Sequence, residues 1–216
     1  RYFGPNFDKK NIIFLGNLYF KPNEDAVRIM RNLIYPELQR DGFRFTIAGD
    51  CPPHLKQDCQ TKDFNFTGTL PNLNLLFKDA TFALAPIDEG TGMRIKFLNY
   101  LAAGIPILTT SIATSGFKNK KYFFIEDNYS GYGKRILDLL KNKSDLIRTS
   151  YDGRSEIEKS YDWNSIAKMT IRVYEKILDK CEIEKVLPDN DVIKNDEPTW
   201  LQEAIIKKRF KIIESD

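Results

Sequence analysis

The sequence is short of the residues that metal sites and disulfide frameworks require. Its 216 residues include one histidine, His54, and three cysteines, Cys51, Cys59 and Cys181. An odd number of irregularly spaced cysteines is poor material for a set of disulfides and fits a reducing compartment. Cys51, His54 and Cys59 are close in sequence, but a closed zinc site needs a fourth ligand and none is nearby. We therefore expect free thiols and no metal.

The sequence also lacks a long apolar run and an excess of charge of one sign. No stretch approaches the about 20 apolar residues that span a bilayer, so no transmembrane segment is expected. The 33 Lys and Arg residues nearly balance the 30 Asp and Glu residues, which leaves a net charge of +3. This balance gives no general attraction to nucleic acid or to a membrane. Any anion site must therefore be local, and nucleic acid is not an expected partner.

The first residues lack the pattern of a secretory signal. The chain starts Arg1-Tyr2-Phe3-Gly4-Pro5, without a methionine and without a charged stretch followed by an apolar core. We expect a fragment or a processed chain. Together with free thiols, the start favours a cytoplasmic protein, and peripheral association of a longer protein with a membrane stays open.

Short apolar runs alternate with helical patterns along most of the chain. Several runs are apolar at nearly every residue, as strands covered on both faces must be. Six strands are predicted, at residues 12–15, 43–48, 64–67, 81–85, 105–109 and 122–125. Strand-helix alternation of this regularity predicts an α/β domain with a doubly wound, mostly parallel six-stranded sheet, which is a Rossmann-like architecture. Such sheets bind ligands outside the carboxyl ends of their strands.

Amphipathic patterns predict the helices between these strands. They fall at residues 24–39, 72–78, 93–103, 130–142 and 163–180, and Gly104 closes the third as a C-terminal cap. The apolar stripe of the first helix consists of Ala26, Val27, Met30, Leu33, Ile34 and Leu38. We predict one domain over residues 1–181. Residues 182–216 are interpreted as a C-terminal helical appendage, with a polar linker before an amphipathic helix at 199–213.

The clearest chemical signal lies between the fourth strand and the next helix, in Glu89-Gly90-Thr91-Gly92-Met93-Arg94-Ile95-Lys96. Two glycines let the backbone approach a ligand closely, and free N–H groups at a helix start bind anions. Arg94 offers a bidentate fork and Lys96 a point charge in the same turn. The helix dipole disfavours cations in a first turn, so a bound phosphate would explain them. Asn99 shares a helix face with Lys96 and could reach ribose hydroxyls.

The same stretch also has a plainer interpretation. Gly90 and Gly92 could merely allow a tight turn, with Arg94 and Lys96 as solvated surface charges. The succession of strand, loop, cations and polar Asn99 favours the anion site.

Residues 77–117, FKDATFALAPIDEGTGMRIKFLNYLAAGIPILTTSIATSGF, resemble the donor-binding core of retaining glycosyltransferases of the GT-B class, of the group 1 or family 4 type. Residues 12–27 resemble the opening of the C-terminal domain of that family. Residues 161–178 resemble its closing helix. The resemblance therefore covers about residues 11–180, with its three matches in the family's order.

The resemblance implies a nucleotide-diphosphate sugar as the donor substrate, with no other cofactor. It also implies that a separate N-terminal domain, in the same or another chain, binds the acceptor across a cleft. The expected function is transfer of a sugar from this donor to a glycan, lipid or protein. We expect a hexosyltransferase that is inactive as this isolated domain.

The resemblance further implies roles for individual residues. Backbone near Gly68 and Thr69 would contact the base, and Asp88 or Glu89 could contact sugar hydroxyls or be solvated loop acids. Arg94 and Lys96 are the expected catalytic residues, because they would stabilise the negative charge that develops on the β-phosphate. The expected donor-binding residues are Gly16, Asn17, Gly68, Thr69, Asp88, Glu89, Gly90, Thr91, Gly92, Met93 and Asn99.

Three positions depart from the pattern of the family. The two glutamates that many relatives carry eight residues apart fall on Thr91 and Asn99, and Asn17 stands where many relatives have a phosphate-binding arginine. These departures keep a second hypothesis open, that of a non-catalytic GT-B-like scaffold or sugar-nucleotide-binding module. An epimerase or phosphorylase of the same architecture is a third.

Overall fold

The fold is seen in a computed structural model, which describes residues 1–90 and 93–180. Its sheet has six strands: β1 (Asn11–Leu15), β2 (Arg44–Ala48), β3 (Phe64–Gly68), β4 (Phe82–Ala85), β5 (Ile107–Thr109) and β6 (Phe123–Ile125). Every neighbouring pair is parallel. All six predicted strands are therefore present, and the doubly wound Rossmann-like sheet is confirmed.

The order of the strands across the sheet locates the crevice where a ligand can bind. The order is β3-β2-β1-β4-β5-β6, so the chain winds outward in one direction from β1 and in the other from β4. Ile12 of β1 pairs with Phe82 of β4 across this reversal, and both side chains are fully buried. In open α/β sheets, the crevice outside the carboxyl ends of the strands at such a switch point binds the ligand.

Among the described residues, five α-helices lie between successive strands of the chain and three follow β6. They are α1 (Lys21–Ile29), α2 (Tyr35–Gln39), α3 (Pro53–Cys59), α4 (Asn74–Lys78), α5 (Ile95–Ala103), α6 (Tyr132–Leu140), α7 (Lys143–Ser160) and α8 (Trp163–Lys180). Arg1–Ala167 form one compact unit, and the part of α8 after it belongs to a second. The predicted boundary at residue 181 and the predicted helix at 199–213 lie outside the described residues.

The single helix predicted over residues 24–39 is wrong in detail. A π-helical segment, Met30–Ile34, separates α1 from α2. Pro36 has no N–H group to continue an α-helical ladder, and a π-turn places an extra residue in the turn before it. Leu33 is consequently 47% exposed rather than buried, while the other five residues of the predicted stripe are fully buried.

Helices α3 and α7 have no counterpart among the predicted helices. Helix α3 begins at Pro53, where a proline is tolerated because a first-turn N–H needs no helical partner. Helix α7 buries only Leu146, Ser150, Gly153 and Ile157, so its inner face has a weak apolar pattern. A Cβ on Gly153 would lie 2.8 Å from Leu101 Cδ2, which shows that this face is shaped for close contact with α5.

Among the described residues, none of the helices has both the length and the apolar character needed to cross a membrane.

Candidate functional site

Glycines directly follow β1 and β2, and a glycine ends β3, where the three chain segments approach closely. Gly49 has a φ of +128°, and a Cβ there would lie 1.9 Å from the carbonyl oxygen of Gly16. Its amide donates to the carbonyl of Gly68 over 2.9 Å. Gly16 and Gly68 are predicted site residues, whereas Gly49 was missed, although a glycine directly after a buried strand could have indicated it.

Helix α5 begins two residues later than predicted. It starts at Ile95, and Arg94 precedes it in an extended conformation, with φ −89° and ψ 106°. The prediction that both cations lie in the first helical turn is therefore wrong for Arg94 and correct for Lys96. The extended backbone lets the Arg94 side chain fold back onto its own loop. The C-terminal cap at Gly104 is confirmed, with φ +74°.

The guanidinium of Arg94 joins the loops that follow β4 and β5. Its Nη2 donates to the carbonyls of Glu89 and Gly90, over 2.8 and 3.3 Å, and its Nε donates to Ala113 over 3.3 Å. Ala113 belongs to the 3-10 helix Ile112–Thr114 after β5. Gly90 has a φ of +89°, a conformation that favours glycine. Arg94 thus shapes the loop as well as placing a cation there.

Lys96 crosses from α5 to the end of β1. Its Nζ donates to Oδ1 of Asn23 over 2.6 Å and lies 4.1 Å from the centre of the Phe14 ring. Burial, and secondly the charge of Arg94, lower its pKa to about 7. A Cβ on Gly16 would lie 3.1 Å from this nitrogen. Lys96 therefore places an easily titrated amine in the switch-point crevice, where a bound anion would favour its charged form.

Two part-buried hydrogen bonds tie α5 and α1 to the end of β1. The hydroxyl of Tyr100 accepts a hydrogen bond from the amide of Leu15 over 2.6 Å. Asn23, which is 8% exposed, also donates from Nδ2 to the carbonyl of Asn17 over 2.8 Å. The sequence analysis did not identify Asn23 as a site residue.

Asp88, one of the two acids proposed for the sugar side, follows β4 and is contacted by Tyr129, a residue after β6 that the sequence analysis did not identify. The Tyr129 hydroxyl donates to Oδ2 of Asp88 over 2.7 Å. Burial, and secondly this contact, raise the pKa of Tyr129. Tyr129 stands in a short 3-10 helix after β6. Asp88 is exposed, but its carboxylate is held in one direction.

The remaining predicted site residues are less closely assembled. Asn99 is half-buried on α5, one turn after Lys96, while Thr69 and Glu89 are exposed. Met93 is 44% exposed. Thr91 and Gly92 lie outside the described residues. The side-chain oxygen of Asn17 accepts from the amide of Tyr19 over 3.0 Å, which makes it part of the loop turn.

His54 and a depression at the other end of the sheet are further candidates for a site. The side chain of His54 is 61% exposed, with Nε2 at 3.5 Å from Glu24 Oε1. The described residues contain no group of three or more His, Cys, Asp or Glu that could hold a metal ion. A depression of about 220 Å³, lined by Arg44, Lys62 and Asp63 among others, opens at the amino ends of β1 and β2. Sheets of this kind bind at the opposite edge, so it is not the candidate site.

Solved structures with the same fold include several glycosyltransferases. A glycosyltransferase from Rickettsia africae has a TM-score of 0.64 at 14% identity, over 82% of this chain and 49% of its own. Anabaena HepE in complex with UDP-glucose has a TM-score of 0.59 at 7% identity, over 82% of this chain and 54% of its own. This chain thus spans about half the length of these two proteins.

The C-terminal domain of LpcC, a group 1 glycosyl transferase from Francisella tularensis, has a TM-score of 0.55 at 12% identity. The match covers 74% of this chain and 96% of that domain. A comparison with curated proteins gave no significant match. Residues 9–142, more than half of the chain, match the family described as glycosyl transferases group 1. The chain belongs to this family.

Proposed function

We propose that this chain is the donor-binding domain of a retaining glycosyltransferase, which transfers a sugar from a nucleotide-diphosphate donor to an acceptor on a separate N-terminal domain. One observation carries the proposal. Lys96, with its pKa lowered to about 7 by burial and by the charge of Arg94, stands at the carboxyl end of β1 beside Gly16. Two cations at the switch point of a group 1 glycosyl transferase domain suit a diphosphate.

The cations also account for a transferase mechanism. When the bond between the sugar and the β-phosphate breaks, negative charge grows on the departing diphosphate. Arg94 and Lys96 would stabilise that charge, and Lys96 would do so from a position held by Asn23 and Phe14. The two side chains supply the positive charge, so the mechanism needs no metal ion. We nominate no protein nucleophile.

The comparisons support the division of labour in this proposal. HepE was crystallised with UDP-glucose, which makes a uridine donor one class to test. The LpcC structure is a C-terminal domain that this chain covers almost completely. A domain of that extent would bind the donor while another domain brings the acceptor.

Binding measurements test the donor site. Isothermal titration with UDP-glucose, GDP-mannose, ADP-glucose and the parent nucleoside diphosphates should find at least one ligand. Arg94→Ala should abolish its binding, because the substitution removes both the cation and the loop contacts. Arg148→Ala is the matched control, since the Arg148 side chain is 73% exposed and pairs with Asp145 on the surface. Absence of binding across the whole panel would refute the proposal.

A specific observation favours the non-catalytic alternative enough to test it. Asn99, a neutral residue, stands one turn after Lys96 at a position where an acid would be expected to hold the ribose. A transferase joined to its acceptor domain should turn over and give a product with the anomeric configuration of the donor, which NMR can follow. A binding module would retain the donor without turnover, whereas an epimerase would alter the sugar without any acceptor.

A further inference from the structure

The side chain of Asn23 contacts both the ammonium of Lys96 and the loop after β1. Its Oδ1 accepts from Lys96 Nζ over 2.6 Å, and its Nδ2 donates to the carbonyl of Asn17 over 2.8 Å. The residue is only 8% exposed. Both ends of the amide are therefore used, and the side chain has a single orientation.

Gly16 provides the space for this pair. A Cβ at Gly16 would lie 2.9 Å from Nδ2 of Asn23 and 3.1 Å from Nζ of Lys96. Any larger residue would push the amide or the ammonium out of place. Gly16, Asn23 and Lys96 thus form one unit, which we call the β1 clamp.

We infer that Asn23 is a positioning residue that holds the Lys96 ammonium in place to meet the donor diphosphate. The inference rests on the proposed function. The long lysine side chain has many rotamers, and fixing it in one of them costs conformational entropy. Because the Asn23 acceptor already orders the side chain in the free protein, less entropy is lost when the ligand binds. The Phe14 ring, 4.1 Å below the nitrogen, limits the same side chain from the other direction.

The neutrality of the amide is the second part of the argument. A carboxylate at this position would form a buried ion pair with Lys96 and cancel the charge that a phosphate needs. An amide oxygen orients the ammonium without neutralising it. Arg94 raises the positive potential further, and its charge adds to burial, the larger cause, in lowering the pKa of Lys96. The clamp therefore leaves the charge of Lys96 available for an anionic ligand, which would favour the protonated amine.

Two substitutions at Asn23 separate positioning from mere packing. Asn23→Leu keeps similar volume but removes the acceptor, and should weaken sugar-nucleotide binding roughly tenfold. Asn23→Asp keeps the shape and pairs with the ammonium, but loses the hydrogen bond to the Asn17 carbonyl, and should weaken binding at least as much. Asn32→Asp is the charge-matched control, because Asn32 is exposed on the same helical run. Binding is measured with UDP-glucose, GDP-mannose and ADP-glucose.

A second measurement follows Lys96 itself in the ligand-free full chain. NMR of ¹³Cε-labelled lysines should show that the Lys96 titration moves to higher pH in Asn23→Asp and to lower pH in Asn23→Leu. Asn32→Asp should not move it. If Lys96 titrates in both Asn23 variants as it does in the wild type, Asn23 does not position Lys96 and the inference is overturned. This holds even if a variant binds the sugar nucleotide more weakly because it is less stable. If the wild type binds no sugar nucleotide, the proposed function fails, and the NMR titration alone decides the inference.

Discussion

Arg94 and Lys96 are two residues apart, yet the fold holds them in opposite ways. Arg94 lies before α5, where its guanidinium donates to three backbone carbonyls of neighbouring loops. Lys96 lies inside the first turn of α5, where one amide oxygen and one aromatic ring face its ammonium. Arg94 thus holds its loop together through backbone contacts, whereas Lys96 is itself held in place by the side chains around it.

The difference indicates which of the two side chains can change its protonation when a ligand binds. Burial lowers the pKa of Arg94 from a value so high that the group stays charged at physiological pH. The pKa of Lys96 is lowered to about 7, so a bound anion can change its protonation. We infer that Arg94 forms the donor loop and that Lys96 supplies charge when the donor is present.

After the loss of binding expected for Arg94→Ala, Lys96→Met gives the next largest effect, because it removes the ammonium from the crevice. Donor affinity should fall about 100-fold, as expected for loss of a charge-assisted contact in a partly buried site. Titration calorimetry at pH 7 measures the change. Lys78→Met is the control, since Lys78 is exposed at the end of α4. Affinity within threefold of wild type would show that Arg94 alone holds the diphosphate.

The same variant should change how stability depends on pH. In the wild type, the folded state loses the Lys96 proton near pH 7 and the unfolded state keeps it to about 10.5, so the free energy of unfolding should rise with pH above 7. The penalty for burying the ammonium is complete below pH 7. The Lys96→Met variant lacks this titrating group, so its free energy of unfolding should not gain from this rise. The difference between the variant and the wild type should therefore shift by about 2 kcal/mol in favour of the wild type from pH 7 to pH 9. Urea denaturation at both pH values tests this, and parallel pH profiles would contradict it.

The sheet could be predicted because each strand has a recognisable local sequence pattern. Runs such as β1 and β4 are apolar at almost every residue, and burial on both faces leaves no other explanation. Helix α7 could not be predicted in the same way, because two of its four buried residues are Ser150 and Gly153. Its packing depends on a close approach to Leu101, which only the folded chain brings near.

The residues of the candidate site also differ in whether they could be predicted from local sequence. Gly90, Arg94 and Lys96 are neighbours in sequence, so their spacing alone indicated an anion site. Asn23 is 73 residues from Lys96, and the contact of Tyr129 with Asp88 spans 41 residues. No periodicity or motif relates such pairs. The sequence also placed Arg94 in the helix, because a helix start can differ by a residue or two without changing the pattern.

Arg94→Lys sharpens the comparison by keeping the charge and removing the fork. A lysine cannot donate to carbonyls on two loops at once in a fixed plane, so the loop should be less ordered and donor affinity should fall about tenfold. Calorimetry with the best-binding sugar nucleotide measures it. Arg148→Lys serves as a surface control. Unchanged affinity would mean that the charge of Arg94 matters and its loop contacts do not.

Tyr129→Phe tests the sugar side, where the smallest effect is expected. The Tyr129 hydroxyl donates to Asp88 over 2.7 Å and fixes the direction of a carboxylate that we propose contacts sugar hydroxyls. Loss of this hydrogen bond at an exposed acid should weaken sugar-nucleotide binding about threefold. Binding of the parent nucleoside diphosphate should stay unchanged, because that ligand lacks the sugar. Tyr151→Phe removes a hydroxyl from an exposed tyrosine and is the matched control. Equal losses for both ligands would place Asp88 with the diphosphate, and no loss for either would make it a solvated loop acid.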